Sequence, residues 1–170
     1  MIRVVLTVLV AVALLAAATP ALEDARATTT AERLDTEADR LERAVGSLVS
    51  DSVSVADPAV AARTTVTVRV PSGFGAASVD RVALVETDGI SAADATAAET
   101  APADVDEATV ALRYRIDGGP ERVVPIAPGS VDAALTLDGE TLALRPGGES
   151  RLALRFVDDG GPTVRIARVG

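Results

Sequence analysis

The chain of 170 residues carries 25 acidic and 16 basic side chains, a net charge of -9 and a pI near 4.5, and all of its basic residues are arginine. His, Cys, Lys, Asn, Gln and Trp are absent. Serines such as Ser47 and Ser72 therefore have no His or Lys to activate them and no thiolate nucleophile exists; zinc, iron–sulfur and haem sites lose their commonest ligands, and neither a disulfide nor an Asn-linked glycan can form.

Residues 4–22 contain no charge, follow a single Arg3 and run into Glu23 and Asp24. As a helix this stretch spans roughly 28 Å, close to the thickness of one hydrocarbon core. Two readings stand. It is a membrane anchor, or it is a secretory signal whose small residues at Ala16 to Ala18 or Thr19 to Ala21 supply a peptidase site. Arg3 before the run and the two carboxylates after it favour an N-terminus inside and the rest of the chain outside. The expected location is the cell membrane with the C-terminal domain extracellular, or secretion after cleavage.

Residues 23–50 form the next unit. Ala27, Ala31, Leu34, Ala38, Leu41, Val45 and Leu48 recur at alternating spacings of four and three, which predicts an amphipathic helix with a narrow apolar stripe. The polar faces hold Glu32, Arg33, Asp35, Glu37, Asp39, Arg40, Glu42 and Arg43, with Asp39 and Arg43 at a favourable i, i+4 spacing. Thr29 and Glu32 fit a capping box at which a helix can restart; equally, Pro20 and Thr28 to Thr30 are weak points in one long rod. Leu34, Ala38, Leu41, Val45 and Leu48 either seat a partner helix or pack on the chain's own β domain.

After a linker over 51–63 the period switches to two. Val66, Val68 and Val70 alternate with Thr65, Thr67 and Arg69, and Val110, Leu112, Tyr114 and Ile116 alternate with Ala111, Arg113 and Arg115, the signature of half-buried strands. Asp138-Gly139 between Leu135/Leu137 and Leu142/Leu144 predicts a type I′ hairpin. Pro146-Gly147-Gly148 turns into Leu152, Leu154 and Phe156, and residues 158–162 turn again into Val164 and Ile166. The fold class expected is α+β: a hydrophobic helix continuing into an amphipathic one, then a small antiparallel β-sandwich over 64–170 with a Val, Leu and Ala core.

Residues 86–107, rich in Ala, Thr and acid, read as a long surface loop. Grouped carboxylates at Asp104, Asp106 and Glu107 suit a calcium ion in type, but the spacing is not that of an EF-hand loop, so the expectation is a solvated acidic loop; Asp158-Asp159 reads as a turn before a ligand pair. No metal and no cofactor is expected. Arg113, Arg115, Arg151, Arg155 and Arg165, on the outward sides of strands, are the candidate anion-binding face, and pairing with the chain's own carboxylates is the competing use. Nucleic acid is disfavoured by the net charge and by the lack of aromatic platforms. Gly73-Phe74-Gly75 opens no helix and reads as a turn rather than a nucleotide loop.

The acidic, lysine-free composition fits concentrated salt, which screens repulsion between many short carboxylates, and also fits a GC-rich genome. Apolar helix, amphipathic continuation and C-terminal β domain together resemble pilin-like, membrane-anchored envelope proteins of halophilic archaea. In that resemblance residues 4–18 match the segment that packs in a filament core, Pro20 the kink region, and residues 34–48 the helix that lies on the β domain. With no glutamate near the start of the apolar run and no charged leader ahead of it, the resemblance implies an accessory envelope protein rather than an assembled pilin. The function expected is a non-enzymatic, exported structural or interaction protein with an envelope protein partner, the alternative being a solute- or glycan-binding module that uses the arginine face.

Overall fold

The computed structural model describes residues 2–86, 110–127 and 133–169. One helix, α1, runs without interruption from Ile2 to Ser50, about 73 Å at 1.5 Å per residue. It passes through Pro20, whose missing N–H leaves the carbonyl of Ala16 without its intrahelical donor. The helix does not restart at Thr29. The hydroxyls of Thr28 and Thr29 instead donate to the carbonyls of Asp24 and Ala25, each at 2.9 Å, a back-bonded arrangement that absorbs the capping groups inside a continuous helix. On the polar side the ion pair is Arg40 with Glu37 at 3.9 Å, not Asp39 with Arg43.

Eight strands follow among the described residues: β1 Ala62–Arg69, β2 Val79–Glu86, β3 Val110–Ile116, β4 Glu121–Ile126, β5 Ala134–Leu137, β6 Thr141–Ala143, β7 Glu149–Asp158 and β8 Pro162–Arg168. They form two four-stranded sheets in the orders β1-β7-β8-β5 and β4-β3-β2-β6. The expected sandwich is present. Val66 and Val68 of β1, Leu152, Leu154 and Phe156 of β7, and Val164 and Ile166 of β8 meet Val82, Leu84, Leu112 and Tyr114 of the facing sheet in one apolar core.

The pairing departs from expectation at Asp138-Gly139. Leu135 and Leu137 belong to β5, which runs parallel to β8 in one sheet, while Leu142 belongs to β6, which pairs with β2 in the other. The dipeptide is therefore a corner between sheets and not a hairpin. Gly139 still serves the turn, with φ at 108°, a region open to glycine alone at low cost. The hairpin signal lies at Asp117-Gly118, where φ values of 48° and 67° and the bond from Gly119 N–H to the Ile116 carbonyl at 2.8 Å make a type I′ turn between β3 and β4. Pro146-Gly147-Gly148 carries the chain from β6 across to β7, and the turn at 158–162 joins β7 to β8 as a true hairpin.

Strands β2 and β4 carry no clean alternation. A register shift between Val79 and Arg81 breaks the period of β2, and β4 contains Pro125, tolerated because β4 is a sheet edge. Glu86, expected in the acidic loop, ends β2, and its carboxylate accepts from the Leu137 N–H at 2.7 Å, linking the two sheets. The remainder of that loop, including Asp104, Asp106 and Glu107, lies outside the described residues.

The second half of α1 closes one side of the sandwich. Thr30, Ala31, Leu34, Ala38, Leu41, Val45, Leu48 and Val49 are buried. Around Leu41 the helix meets Val68 of one sheet and Leu84, Leu112 and Ile126 of the other. The helix thus fills the gap beside the β1 and β4 edges, where unpaired strand edges would otherwise face solvent.

Candidate functional site

The chain divides its apolar surface into two uses along a single helix. The stripe of Leu34, Ala38, Leu41, Val45 and Leu48, expected either to seat a partner helix or to pack on the chain's own β domain, is no more than 8% exposed at any position and lies in the chain's own core, the second of the two uses. That corrects the partner-contact reading. A 3.5-residue period fits any flat apolar neighbour, and the open side of the sandwich is the neighbour closest at hand. The first half is the opposite case. Every residue from Val4 to Leu22 is exposed, with Val4, Leu6, Leu9, Leu14 and Leu15 more than half bare, and this segment is long and apolar enough to cross a membrane.

Where the helix enters the sandwich, polar contacts fix its position. The Thr30 hydroxyl, fully buried, accepts from the Ala77 N–H at 2.9 Å. Tyr114 of β3 donates its hydroxyl to Oδ1 of Asp35 at 3.0 Å, and Glu37 accepts from the Arg69 N–H of β1 at 3.1 Å. Burial raises the Tyr114 pKa to about 12, the Asp35 carboxylate adding to the rise and Arg122 opposing it. The phenol is consequently a permanent donor at ordinary pH.

The five arginines expected on one face are split between two. Arg113 and Arg115 lie on the outer face of the β4-β3-β2-β6 sheet, and Arg151, Arg155 and Arg165 on the outer face of the other, on the far side of the sandwich. The strands alternate as expected, but β3 belongs to a different sheet from β7 and β8, and topology of that kind leaves no trace in periodicity. One grouping does form. Arg63 of β1 stands opposite Arg155 of β7, which stands opposite Arg165 of β8, three guanidinium groups in a row across three strands. Directly opposite like charges repel. Asp159 pairs with Arg165 and Glu149 with Arg69, while among the described residues no carboxylate pairs with Arg63, Arg151 or Arg155. A groove of about 600 Å³ beside the row is lined by Arg155, Arg165, Arg168, Asp138 and Asp159. Periodicity gives no sign of Arg63, because its register with Arg155 exists only once β1 and β7 are paired.

Asp159 acts as an ion-pair partner in its turn, and no group of three or more potential metal ligands occurs among the described residues. The Gly73-Phe74-Gly75 turn is closed by the Ala76 N–H donating to the Gly73 carbonyl at 3.1 Å.

The family comparison covers nearly everything described above, with residues 1–169 matching the domain of unknown function DUF7311. The chain belongs to that family. Because the match includes the apolar half of α1, the exposed helix is part of the DUF7311 domain rather than an appendage to it. No curated protein matches the chain, and no solved structure does.

Proposed function

We propose that the chain is a non-enzymatic, membrane-anchored interaction protein of the cell envelope, in which residues 4–22 cross the bilayer and the sandwich is presented on the outer side as a rigid extension of the same helix. The observation that carries this reading is the continuity of α1: one half is wholly exposed and apolar, and the other is built into the core. A large apolar surface left in water is an aggregation liability, and a bilayer removes it. The lack of His, Cys and Lys supports a role without nucleophilic or metal chemistry.

An accessory, pilin-like role in a filament or secretion assembly fits the same architecture. Since the 34–48 stripe is occupied by the sandwich, a protein partner would be met by the exposed apolar half of α1 within the membrane, or by the outer sheet faces. Intact mass and N-terminal sequence of the protein from membrane and medium fractions of its host test the anchor. An uncleaved chain in the membrane supports it, and a chain starting at Thr19 or Leu22 in the medium overturns it.

The row of Arg63, Arg155 and Arg165 favours a second reading, capture of an anionic solute or glycan on that sheet. Titration with sulfate and with a uronate-bearing glycan, read by melting temperature, tests it: a saturable rise lost in Arg155→Ala supports it, and no shift removes it.

A further inference from the structure

The end of the sandwich nearest the apolar helix carries one exposed aromatic ring. Phe74 is 92% exposed, although Tyr114 and Phe156, the other two aromatics, are buried in the core. Its ring stacks on the Arg26 guanidinium, 4.9 Å from the centroid, which fixes its height along the helix. Arg26 lies four residues beyond Leu22, where the apolar run ends, about 6 Å farther along the axis. That distance falls within the headgroup layer flanking a hydrocarbon core, roughly 5–8 Å deep on each side.

The loop bearing Phe74 is held at this level by two contacts: the Ala77 N–H donates to the Thr30 hydroxyl, and Ser78 N–H donates to Oδ1 of Asp117 at 3.0 Å. Its neighbours Ser72, Gly73 and Gly75 are small, so nothing beside the ring shields it from an approaching surface. Arg26 makes no ion pair among the described residues and is free to meet a lipid phosphate. Glu23, Asp24 and Asp117 line the adjoining cleft with Arg26, and these carboxylates suit the ammonium group of a zwitterionic headgroup better than an anionic one.

We infer that the turn at residues 72–75 is a second membrane contact, in which Phe74 inserts into the headgroup layer while Arg26 engages phosphate, so that helix and sandwich, moving as one body, are held at a fixed tilt to the bilayer. Aromatic rings gather at this depth, where an apolar body can leave water while its polar neighbours stay wet. The inference rests on the anchor reading above, and the test separates the two.

The chain has no Trp, so a single substitution provides a clean reporter. The full-length Phe74→Trp and Leu14→Trp variants are placed in phosphatidylcholine nanodiscs carrying quenchers at either shallow or deep acyl positions. The expected result is blue-shifted indole emission from the Phe74→Trp variant, quenched most by shallow labels, with the Leu14→Trp variant quenched most by deep ones. Quenching in the Leu14→Trp variant with water-like, unquenched emission in the Phe74→Trp variant overturns the second contact and leaves the anchor standing. No quenching in either variant overturns both. Phe74 makes no core contact, so its replacement leaves folding intact, as an unchanged far-ultraviolet circular dichroism spectrum will verify.

Discussion

Tyr114 donates its hydroxyl to the carboxylate of Asp35 at 3.0 Å, joining the middle of β3 to α1 across 79 residues of sequence. Tyr114 is 1% exposed while Asp35 is half-buried, so the bond is partly shielded from water. Together with the Thr30 and Glu37 contacts it turns a greasy helix packed beside a sandwich into a helix with a fixed rotation and height. That fixed height is what makes the end of the domain nearest the apolar half of α1 a defined surface.

The Tyr114 phenol predicts an alkaline transition. Its pKa is about 12 in the folded protein against 10 in the unfolded chain, so the neutral form is favoured by folding. The resulting stability is fully present below pH 10 and is lost as pH rises through 12, about 1 to 2 kcal/mol in all once solvent screening of the half-buried pair is allowed for. The chain has no Lys or Cys and one tyrosine, so no other side chain titrates in that window. Denaturant titrations of the wild type and Tyr114→Phe should show the variant less stable by about 1–3 kcal/mol at pH 8, with the gap closing towards pH 12. A constant gap across that range would refute the assignment.

Thr30 predicts a separable loss at the mouth of the sandwich. In Thr30→Val the shape is kept and the buried Ala77 N–H loses its acceptor, which costs about 1–3 kcal/mol, whereas Thr30→Ser keeps the oxygen and should recover most of it. Melting temperatures of the two variants in nanodiscs provide the comparison. Equal losses would mean that the methyl group, not the hydrogen bond, sets the stability.

Leu41 tests whether the stripe is core. Leu41→Ala removes a side chain 1% exposed between the two sheets and should cost about 2–5 kcal/mol. Leu41→Asp should abolish cooperative unfolding altogether. If Leu41→Asp instead folded normally and lost only a protein partner, the stripe would be an interface after all.

Much of this fold is legible in the residues. The 4-3 spacing from Ala31 to Leu48 marks the buried face of α1, and alternation marks β1, β3, β7 and β8, whose inward side chains meet the core while most of the outward ones face solvent, Ala111, Val157 and Thr163 being the buried exceptions. Strand β2 is hidden by its register shift and by the consecutive apolar residues Val82 to Val85, which blur the period of two, and β4 by a proline that only an edge position admits. Two of the chain's Asp-Gly dipeptides do different work: Asp117-Gly118 closes the β3-β4 hairpin, and Asp138-Gly139 sends the chain between sheets. Local turn chemistry demands a positive φ, but the partner of each flanking strand is chosen by long-range packing, as the parallel β5-β8 pair shows. The single arginine face fails for the same reason, since alternation tells in from out and says nothing about which of two outer faces a strand belongs to.

Gly139 puts the corner to the test. Its φ is 108° and the space where a Cβ would stand is open, so Gly139→Ala meets no clash but is strained in its backbone, a loss of about 1–2 kcal/mol. Gly161→Ala, also in open space but without a positive φ, should be neutral or slightly stabilising. Chemical denaturation of both variants decides it, and equal effects would argue against strain as the cause.

The arginine row predicts an inverted charge effect. In most acidic proteins another carboxylate destabilises by adding to the net repulsion, here already -9. Arg155→Glu, however, places a carboxylate between Arg63 and Arg165, its cross-strand neighbours, and replaces the repulsion with the unpaired Arg63 by an attraction, Arg165 being already paired with Asp159. The variant should be more stable than the wild type by a few tenths of a kcal/mol to about 1 kcal/mol at low ionic strength, because these groups are exposed and the pairs weak. At 1 M salt the Debye length falls to about 3 Å and the advantage should vanish. Melting curves at the two salt concentrations measure it. A destabilised variant at low salt would mean that Arg63 and Arg155, like Arg165, are already neutralised, and the anion-capturing reading of that sheet would go with them.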